Sequence, residues 1–600
     1  MSADGTAPAP AAAADGPATL ERPRVGTHAR PAPGGREQGR GRQATDGRGE
    51  GSGDPRYLDQ DRGHIVASIV LSFVALLLGG LYGPLQALDK MGVNLYPYLP
   101  GIYGSYYLGL TLHGVALALL FTFTFIIGFL SFAVVHGLRR PLLSRRLGWA
   151  AFLTPVAGTA LALIPLLSND ATVLWTFYAP LRAHPAFYAG LILAVTGTYL
   201  AALNGYLTWR AWKREHPHER TPLMAFASLA TWAMWVLASV GLAWSLVAYL
   251  LPWSLNENVG INQLLTRSLF WFTGHPVVYF WLLPAYVSWY TMLPAQVGGR
   301  LFSESLARLV FLLFLPLSIP TGLHHMFADP GISQQSKLVH GVITYAVVMP
   351  SLLTAFTVVA SLEDGARRNG GKGWVRWILA LPWFSNASVA GQLLAMLLFA
   401  GGGITGLINA SYTMNLVVHN SLWVTGHLHF QVGTATALTF MSIAYWLVPV
   451  LTRRTLWRPR LALWQVWLWF IGMAVMGRGM HWMGLGGAPR RTFLSLAPYA
   501  DFDTWWTAGL LTGVGGLVLT VAGALFLWIM VATLTRSPRA AEPPVIPEAR
   551  PLFPVKHMPR VLDRLTPWVV VTVILTAIAW LPTLIQVARQ NPLVPGWRLW

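Results

Sequence analysis

The chain has 600 residues, of which 54% are hydrophobic and only 11% charged, and it contains no cysteine. With a mean hydropathy of +0.50, this composition excludes an ordinary soluble globular protein and indicates a protein that crosses a membrane many times. Without cysteine, the chain cannot form disulfides, thiolate-held iron–sulfur clusters or a dinuclear copper site of its own. The net charge of +19 would suit a nucleic-acid partner only if the basic residues formed one patch.

Residues 1–60 form a separate region rich in Ala, Gly, Pro and Arg, with eight basic and eight acidic residues and no apolar run. The region lacks the apolar core of a signal peptide, and its balanced charge is not that of a polybasic arm. We therefore predict a disordered tail. Residues 61–600 are predicted to form one transmembrane domain.

Thirteen apolar segments follow the tail, each of a length that crosses the hydrocarbon core of a bilayer as an α-helix. We predict an all-α, polytopic membrane protein with about 13 transmembrane helices. The predicted spans are 64–88, 105–135, 148–168, 186–208, 222–251, 268–294, 306–328, 337–361, 381–405, 417–450, 462–486, 505–534 and 566–588.

The basic residues are distributed unevenly between the two ends of these spans. Most of them lie in loops that follow even-numbered spans. Two such loops hold Arg139, Arg140, Arg145, Arg146, Arg453, Arg454, Arg458 and Arg460. By the positive-inside rule, the N-terminal tail is cytoplasmic and the C-terminus lies outside. The positive charge is therefore a topology signal, and we expect no nucleic-acid partner.

Six histidines lie inside or at the ends of apolar spans. They are His113, His275, His324, His325, His427 and His429. Ionisable side chains at membrane depth are unfavourable without a function, and imidazole is the commonest metal ligand. On the predicted topology all six lie at similar depth, in the outer half of the bilayer, which indicates a buried redox centre with several metals. The histidines His64, His340 and His481 are expected to be hydrogen-bonded packing residues instead.

Local spacing indicates how the six histidines divide. His427 and His429 are two residues apart, so on a helix their side chains point about 200° apart and suit two flat cofactors on opposite sides. His324 and His325 are adjacent at a helix end beside Gly322, where both can turn toward one ion.

His275 and Tyr279 are four residues apart and share one helix face. Taken together, the simplest arrangement of the six histidines is a bis-histidine haem, a five-coordinate haem and a three-histidine copper that faces it.

Four segments resemble subunit I of the haem–copper oxidases: GHPVVYFWLLPAY, GLHHMFADPGI, VVHNSLWVTGHLHFQV and NPLVPGWRLW. The resemblance is closer still to the B-family, ba-type cytochrome c oxidase of thermophilic bacteria, and it runs from about residue 57 to the end. It implies the catalytic subunit of a terminal respiratory oxidase in the bacterial cell (inner) membrane. Such an enzyme reduces O₂ to water and couples this reaction to proton translocation.

The resemblance also implies cofactors. His113 and His429 would be the axial ligands of a low-spin haem, expected to be haem b. His427 would bind the iron of a high-spin haem, expected to be a-type, and would leave its other face open for O₂.

A copper ion, copper B, would face the high-spin haem. Its implied ligands are His275, His324 and His325. Tyr279 would be covalently linked to His275 and would supply an electron and a proton during catalysis. The spacing of four residues is compatible with that link.

Hydroxyl groups form a candidate proton path toward the cytoplasm. Tyr286 and Tyr290 continue the stripe of Tyr279 along span 6, while Ser351 and Thr354 lie in the inner half of span 8. These four residues resemble the K-type path of the B-family. Val277 stands where A-family oxidases carry a glutamate, which implies one inlet for chemical and pumped protons.

On the outer side, Arg490 and Arg491 are expected to pair with haem propionates. His419 is nearby in sequence and is a candidate for the proton exit. The ba-type pattern has an aspartate where this chain has Asn415. This substitution removes a titratable group from the predicted exit region.

Partners follow from the missing cysteines and the resemblance. We expect a subunit II that carries the dinuclear copper, cytochrome c as the electron donor, O₂ as substrate, and surrounding membrane lipid. A small single-helix subunit is a further possible partner. Trp482 is a candidate contact with subunit II, and Arg478 inside an apolar span has no assigned role.

Three alternatives remain at this point. Nitric oxide reductase is a relative with non-haem iron in place of copper, although Val277 and Tyr279 favour copper and O₂. A quinol donor in place of cytochrome c is compatible with this subunit. A transporter or non-catalytic haem protein would need no three-histidine site, so the histidine pattern disfavours it.

Overall fold

The computed structural model describes residues 56–597, except 257, 554, 556, 557 and 591. The tail prediction for residues 1–55 lies outside the described residues. The described chain starts with a 3₁₀ turn at Arg56–Leu58, whose Leu58 is buried. Within the described ranges the structure is built of helices, and extended residues pair only as isolated bridges.

Fourteen main helices follow one another along the described chain. They are α1 (Arg62–Lys90), α2 (Tyr106–Leu138), α3 (Arg145–Leu167), α4 (Pro185–Glu215), α5 (Leu223–Leu255), α6 (Gln263–Gly274), α7 (Pro276–Thr291), α8 (Glu304–Met326), α9 (Gln334–Arg368), α10 (Ala387–Ala410), α11 (Leu422–Thr452), α12 (Pro459–Leu485), α13 (Phe502–Thr535) and α14 (Leu565–Gln590). The all-α prediction is confirmed.

Twelve of these helices, all except α6 and α7, are long and apolar enough to cross a membrane, counting only the part of the chain that the structure describes. The expected thirteen spans are close to this number, because α6 and α7 together occupy the sixth span. Proline explains the division. It has no N–H to donate and is tolerated in the first turn of a helix. Pro276 therefore starts α7 directly after the end of α6 and leaves His275 at the junction.

Three helices contain a π-helical segment that the sequence did not indicate. These segments are Ala116–Phe121 in α2, Ser245–Leu250 in α5 and His429–Thr436 in α11. A π-helical turn holds an extra residue and changes the direction of the side chains beyond it, and such turns often mark functional sites. Two of the three segments lie at the histidines of the predicted haem pair. One segment begins at His429, and another begins shortly after His113.

Glycine allows several helix pairs to approach closely, as is common in membrane proteins. The pair α3 and α4 meets at Gly158 and Gly190, where a Cβ atom built on either residue would lie 2.5 Å from the carbonyl oxygen of the other. The same holds for α12 and α13, where a Cβ on Gly515 would lie 2.4 Å from the backbone nitrogen of Met476. At both crossings the backbones leave no room for a side chain.

We expect Gly158→Ala to destabilise the protein by about 1–3 kcal/mol, because the added methyl group forces α3 away from α4. Gly80→Ala on α1 is the matched control, since a Cβ there meets no atom within 4 Å. This control should leave stability unchanged or slightly raised. Thermal unfolding of the two purified variants in the same detergent measures the difference. Equal melting temperatures would contradict the close approach of α3 and α4.

Candidate metal centre

Three histidines from two separate parts of the chain meet in the interior. The ligand nitrogens of His275, His324 and His325 all lie within 4.8 Å of one another. His275 and His324 are buried, with 7% and 4% of their surface exposed. Three nitrogen donors at this spacing fit one transition-metal ion, and imidazole suits copper, zinc and iron.

The hydrogen bonds of the three rings indicate which nitrogens face the ion. Nδ1 of His324 pairs with the hydroxyl of Thr344 at 2.9 Å, which leaves Nε2 of His324 for a metal. Nδ1 of His275 lies 3.4 Å from Nε2 of His325, so these two atoms point to the same space. Nε2 of His275 is buried and has no hydrogen-bond partner among the described residues. The ring of His275 lies 5.0 Å from that of Tyr279, centroid to centroid.

Two backbone irregularities bring these histidines together. The break between α6 and α7 places His275 at a helix junction. Gly322 precedes the turn that carries His324 and has a φ of +147°, and a Cβ there would lie 2.3 Å from the carbonyl oxygen of Trp271. Only glycine fits this conformation and this contact. The indole of Trp271 in turn stacks on His325 with a centroid distance of 3.9 Å.

A second site lies between α2 and α11. The rings of His113 and His429 are 6.4 Å apart and inclined by 23°. An iron between the two rings needs a bond of about 2 Å to a nitrogen on each side, which places the two nitrogens about 4 Å apart and the ring centroids further apart still. Nδ1 of His113 bonds to the carbonyl oxygen of Gly79, and Nδ1 of His429 bonds to that of Thr425, both at 2.8 Å. Both Nε2 atoms are therefore left for a metal, and the gap fits a bis-histidine haem.

His427 faces α10 instead. Its Nδ1 lies 3.0 Å from the carbonyl oxygen of Gly402 and 3.1 Å from the hydroxyl of Thr405. A Cβ atom on Gly406 would lie only 2.8 Å from Cε1 of the imidazole, so glycine is needed where the ring meets the helix. As at the haem pair, Nε2 of His427 is left for a metal.

The predicted path residues lie together between α7 and α9. The hydroxyl of Tyr290 donates to that of Thr354 at 2.9 Å, and the hydroxyl of Tyr286 lies 3.5 Å from that of Ser351. Both tyrosines are fully buried. The hydroxyl of Thr354 also donates to a carbonyl of its own helix, so a purely local role and a role in the path are both compatible with its contacts.

The loop between α12 and α13 carries the two predicted propionate partners. The guanidinium of Arg490 donates to the side-chain oxygen of Asn420 at 2.9 and 3.1 Å. Arg491 has a left-handed backbone with a φ of +65°, and its guanidinium lies over the ring of Tyr178 at 5.3 Å. The structure thus keeps both arginines in the loop at the ends of α12 and α13.

His419 and Asn415 lie just before α11. Burial, with the nearby charge of Arg490 as the next cause, lowers the pKa of His419 to about 4, so this residue is neutral at physiological pH. Nε2 of His419 is buried and lacks a hydrogen-bond partner among the described residues. Asn415 is buried, and its amide donates to the carbonyl oxygen of Asn409 at 2.7 Å.

One ion pair near the site was not indicated by the sequence. Arg267 on α6 pairs with Asp329 at 3.2 Å. Burial raises the pKa of the Asp329 carboxyl, against the lowering effect of Arg267. The aspartate is visible in the GLHHMFADPGI segment, but the sequence gives no signal for its partner, which is 62 residues away in the chain.

The remaining candidates are placed as follows. Arg478 is exposed on α12, with its guanidinium 5.4 Å from the ring of Trp482, which is itself 46% exposed. Cation–π contact is therefore the observed interaction of Arg478.

Among the expected packing histidines, His64 bonds to Asp61 at 3.1 Å, and His340 bonds to the carbonyl oxygen of Ala579 at 3.1 Å.

A family model described as Cytochrome C and Quinol oxidase polypeptide I matches residues 64–518. Cytochrome c oxidase subunit 1 of Thermus thermophilus is 45% identical over 544 residues, which cover 89% of this chain and 96% of that protein. The chain is a haem–copper oxidase subunit I. Subunit 1 of the Thermostichus vulcanus oxidase is 26% identical over 478 residues, 77% of this chain and 82% of that protein. A cryo-EM structure of a haem–copper terminal oxidase dimer matches with a TM-score of 0.86 and 35% identity, over 90% of this chain and 95% of that one.

As a haem–copper oxidase subunit I, the protein is the catalytic subunit of a terminal oxidase, and its similarity to the Thermus protein makes it B-family-like. Haem and copper B are the cofactors that this membership implies. The donor set fits them, because the structure offers a three-nitrogen cluster, a facing histidine pair and one separate histidine, and the Nδ1 atoms of this pair and of the separate histidine bond to backbone carbonyl oxygens.

We expect Thr344→Val to weaken copper binding by about 10- to 100-fold, because the hydroxyl of Thr344 orients the ring of His324. Thr357→Val on the same helix is the control, since Thr357 is also buried and its hydroxyl bonds to the carbonyl oxygen of Leu353. Copper retained after dialysis against a graded chelator, measured by elemental analysis, separates the variants. Equal copper retention would show that Thr344 does not support the site.

Proposed function

We propose that this subunit forms the O₂-reducing site of a cytochrome c oxidase that receives electrons through a copper-bearing subunit II and translocates protons. One observation carries the proposal. His275, His324 and His325 converge within 4.8 Å, with Tyr279 beside His275. This set of groups suits copper and O₂ rather than non-haem iron, because no carboxylate belongs to the cluster among the described residues.

The histidines are proposed to hold the two haems as follows. His113 and His429 bind a low-spin haem, taken to be haem b. The distance of 6.4 Å between the centroids of their rings supports this. His427 binds a high-spin a-type haem through the nitrogen that Gly402 leaves free. When bound, the haems carry electrons to the site at which O₂ is reduced, facing copper B.

Tyr279 is proposed to hold the proton and electron that O₂ cleavage requires. Its neighbour His275 has a buried Nε2 without a partner among the described residues. A covalent bond from a ring carbon of Tyr279 to that nitrogen would satisfy it and would fix the hydroxyl of Tyr279 beside copper B. Forming this bond breaks one C–H and one N–H bond, and the two electrons and two protons would pass to O₂, the substrate of the proposed reaction. The bond would also orient Nδ1 of His275 toward the ion that His325 faces.

Protons are proposed to reach Tyr279 through a single inlet. The pairs Tyr290 with Thr354 and Tyr286 with Ser351 provide hydroxyl groups, each of which is able to donate and to accept a hydrogen bond. Their burial excludes bulk water and keeps the relay within the protein. Val277 lies near His275 and cannot carry a proton, unlike the glutamate that A-family oxidases have at this place. We therefore propose that the protons consumed in the reaction and the protons that are pumped enter by the same inlet.

On the outer side, Arg490 and Arg491 are proposed to pair with haem propionates, and His419 is proposed to lie on the proton exit. His419 is neutral at physiological pH, so it would relay protons through its two ring nitrogens and hold no lasting charge. Asn415 is unable to titrate, so any stored proton would lie on a propionate or on another outer group.

The topology and partners are proposed from charge and composition. Loops rich in arginine face the cytoplasm, so the N-terminus is cytoplasmic and the protein is placed in the bacterial inner membrane. Subunit II supplies the dinuclear copper that this cysteine-free chain lacks, and a small single-helix subunit is a further partner. Cytochrome c is the proposed donor because relatives carry the name cytochrome c oxidase subunit 1.

The metal content of the purified complex tests this function. We expect about three coppers for every two haem irons, since a dinuclear copper site adds to copper B, and His324→Ala should lose about one copper of the three. About one copper per two haems would overturn cytochrome c in favour of a quinol donor. Non-haem iron without copper would overturn O₂ reduction in favour of nitric oxide reduction.

The proton path is tested separately. We expect Thr354→Val to lower steady-state O₂ uptake about tenfold, which corresponds to about 1.4 kcal/mol in the activation barrier, because the hydroxyl that accepts from Tyr290 is lost. Thr357→Val, three residues further along α9 and also fully buried, is the control and should retain the wild-type rate. Equal rates in the two variants would contradict a proton path past Thr354.

A further inference from the structure

The last two residues of α1 form a buried ion pair that the proposed function leaves unexplained. Asp89 is fully buried and Lys90 is 5% exposed. The ammonium of Lys90 lies 2.7 Å from the carboxylate of Asp89. Buried ion pairs often add little to stability, and a role in fixing one conformation is a recognised alternative.

Lys90 also holds the outer loop that follows α12. Its ammonium donates to the carbonyl oxygen of Thr492 at 2.6 Å and to the hydroxyl of Tyr106 at 2.9 Å. The hydroxyl of Tyr106 in turn donates to the same carbonyl oxygen at 3.0 Å. The ring of Tyr106 stacks on Phe493 at 4.6 Å. Residues 492 and 493 are therefore held against the start of α2 and the end of α1.

Asp89 holds the next part of the same loop. One carboxylate oxygen accepts from the backbone N–H of Leu494 at 3.2 Å. The other accepts from the backbone N–H of Ser495 at 3.0 Å and from its hydroxyl at 2.8 Å. Together with the bond to Lys90, these contacts engage both oxygens of Asp89. Replacing the carboxylate by an amide would leave a single acceptor oxygen, so the donors that bond to the other oxygen would lose their acceptor.

The held segment directly follows Arg490 and Arg491. On the other side of the arginines, the backbone N–H of Arg490 donates to the carbonyl oxygen of Asn420 at 2.8 Å. Between these two anchors Arg491 has a φ of +65°, which a non-glycine residue keeps only where its surroundings hold it. The conformation of the arginine pair therefore depends on both anchors.

We propose that Asp89 and Lys90 are positioning residues that hold Arg490 and Arg491 in place to meet the haem propionates. The inference rests on the proposed role of these two arginines. Positive charge beside a haem favours the reduced state and raises its reduction potential. A loosened loop moves that charge away and lowers the potential, even though Asp89 and Lys90 themselves contact no haem ligand.

The test uses the purified complex and a redox titration of its haems, followed by visible absorption. The double variant Asp89→Asn/Lys90→Gln removes the lock and leaves the net charge unchanged, so any shift reports position rather than lost charge. Arg490→Gln is the reference for loss of the arginine itself. We expect both variants to lower the midpoint potential of the same haem, with Lys90→Arg close to wild type.

A matched control lies at the opposite end of the helices. Arg308 is also buried and paired, with Glu304 at 2.7 Å, near the start of α8. The double variant Glu304→Gln/Arg308→Gln should lower the melting temperature and leave the haem potentials unchanged. If the Asp89→Asn/Lys90→Gln complex does not assemble, Tyr106→Phe and Ser495→Ala each remove part of the lock and should lower the potential in smaller steps.

The outcomes separate the inference from the function on which it rests. A lowered potential in Arg490→Gln but not in the lock variants would overturn the positioning role and leave the arginines' role intact. Unchanged potentials in all variants would overturn the proposed role of the two arginines and also the positioning role of Asp89 and Lys90. The metal content of the wild-type complex would still identify the oxidase site. A wild-type complex without copper would overturn the proposed function itself.

Discussion

Four of the six candidate ligand histidines, His113, His324, His427 and His429, depend on a hydrogen bond made by the ring nitrogen that faces away from the metal position. A histidine with one nitrogen bonded to a carbonyl or hydroxyl has a fixed tautomer, and its other nitrogen is left as a metal ligand. Carbonyl oxygens of Gly79 and Gly402 serve His113 and His427 in this way, and the hydroxyl of Thr344 serves His324. In an apolar interior such a bond satisfies the second nitrogen and orients the ring. At His275, whose Nε2 lacks a hydrogen-bond partner among the described residues, the proposed link to Tyr279 would have the same effect.

Several of the ligand histidines lie where the helices depart from regular geometry. Irregular backbone within a membrane is tolerated where it is enclosed by protein. The break at Pro276 exposes His275 at a junction, Gly322 brings the His324 turn against α6, and π-helical turns follow His113 and begin at His429. The metal centre is therefore built at the irregular points of an otherwise continuous helical bundle.

The two faces of the centre are held differently, as their proposed tasks require. On the side of Tyr290 and Thr354 the contacts are between hydroxyls, which can donate and accept, as the proposed proton path requires. On the side of Arg490 charged groups dominate, and the loop with Arg490 is held by Asn420 and by the Asp89–Lys90 pair. In the proposed roles, a fixed charge acts on the haem potential on one side and a proton moves on the other.

The sequence alone determined the helical class, the approximate number of spans and the six candidate ligands, because hydropathy, motif order and short spacings are local properties. It placed His275 and Tyr279 on one face because residues four apart on a helix are neighbours. Only the tertiary structure decided which atoms complete the site. The carbonyl of Gly79 and the anchor of Arg490 lie 34 and 70 residues from their partners in the chain. A hydrogen bond between such distant residues depends on how helices pack, and helix packing is not encoded in any local pattern.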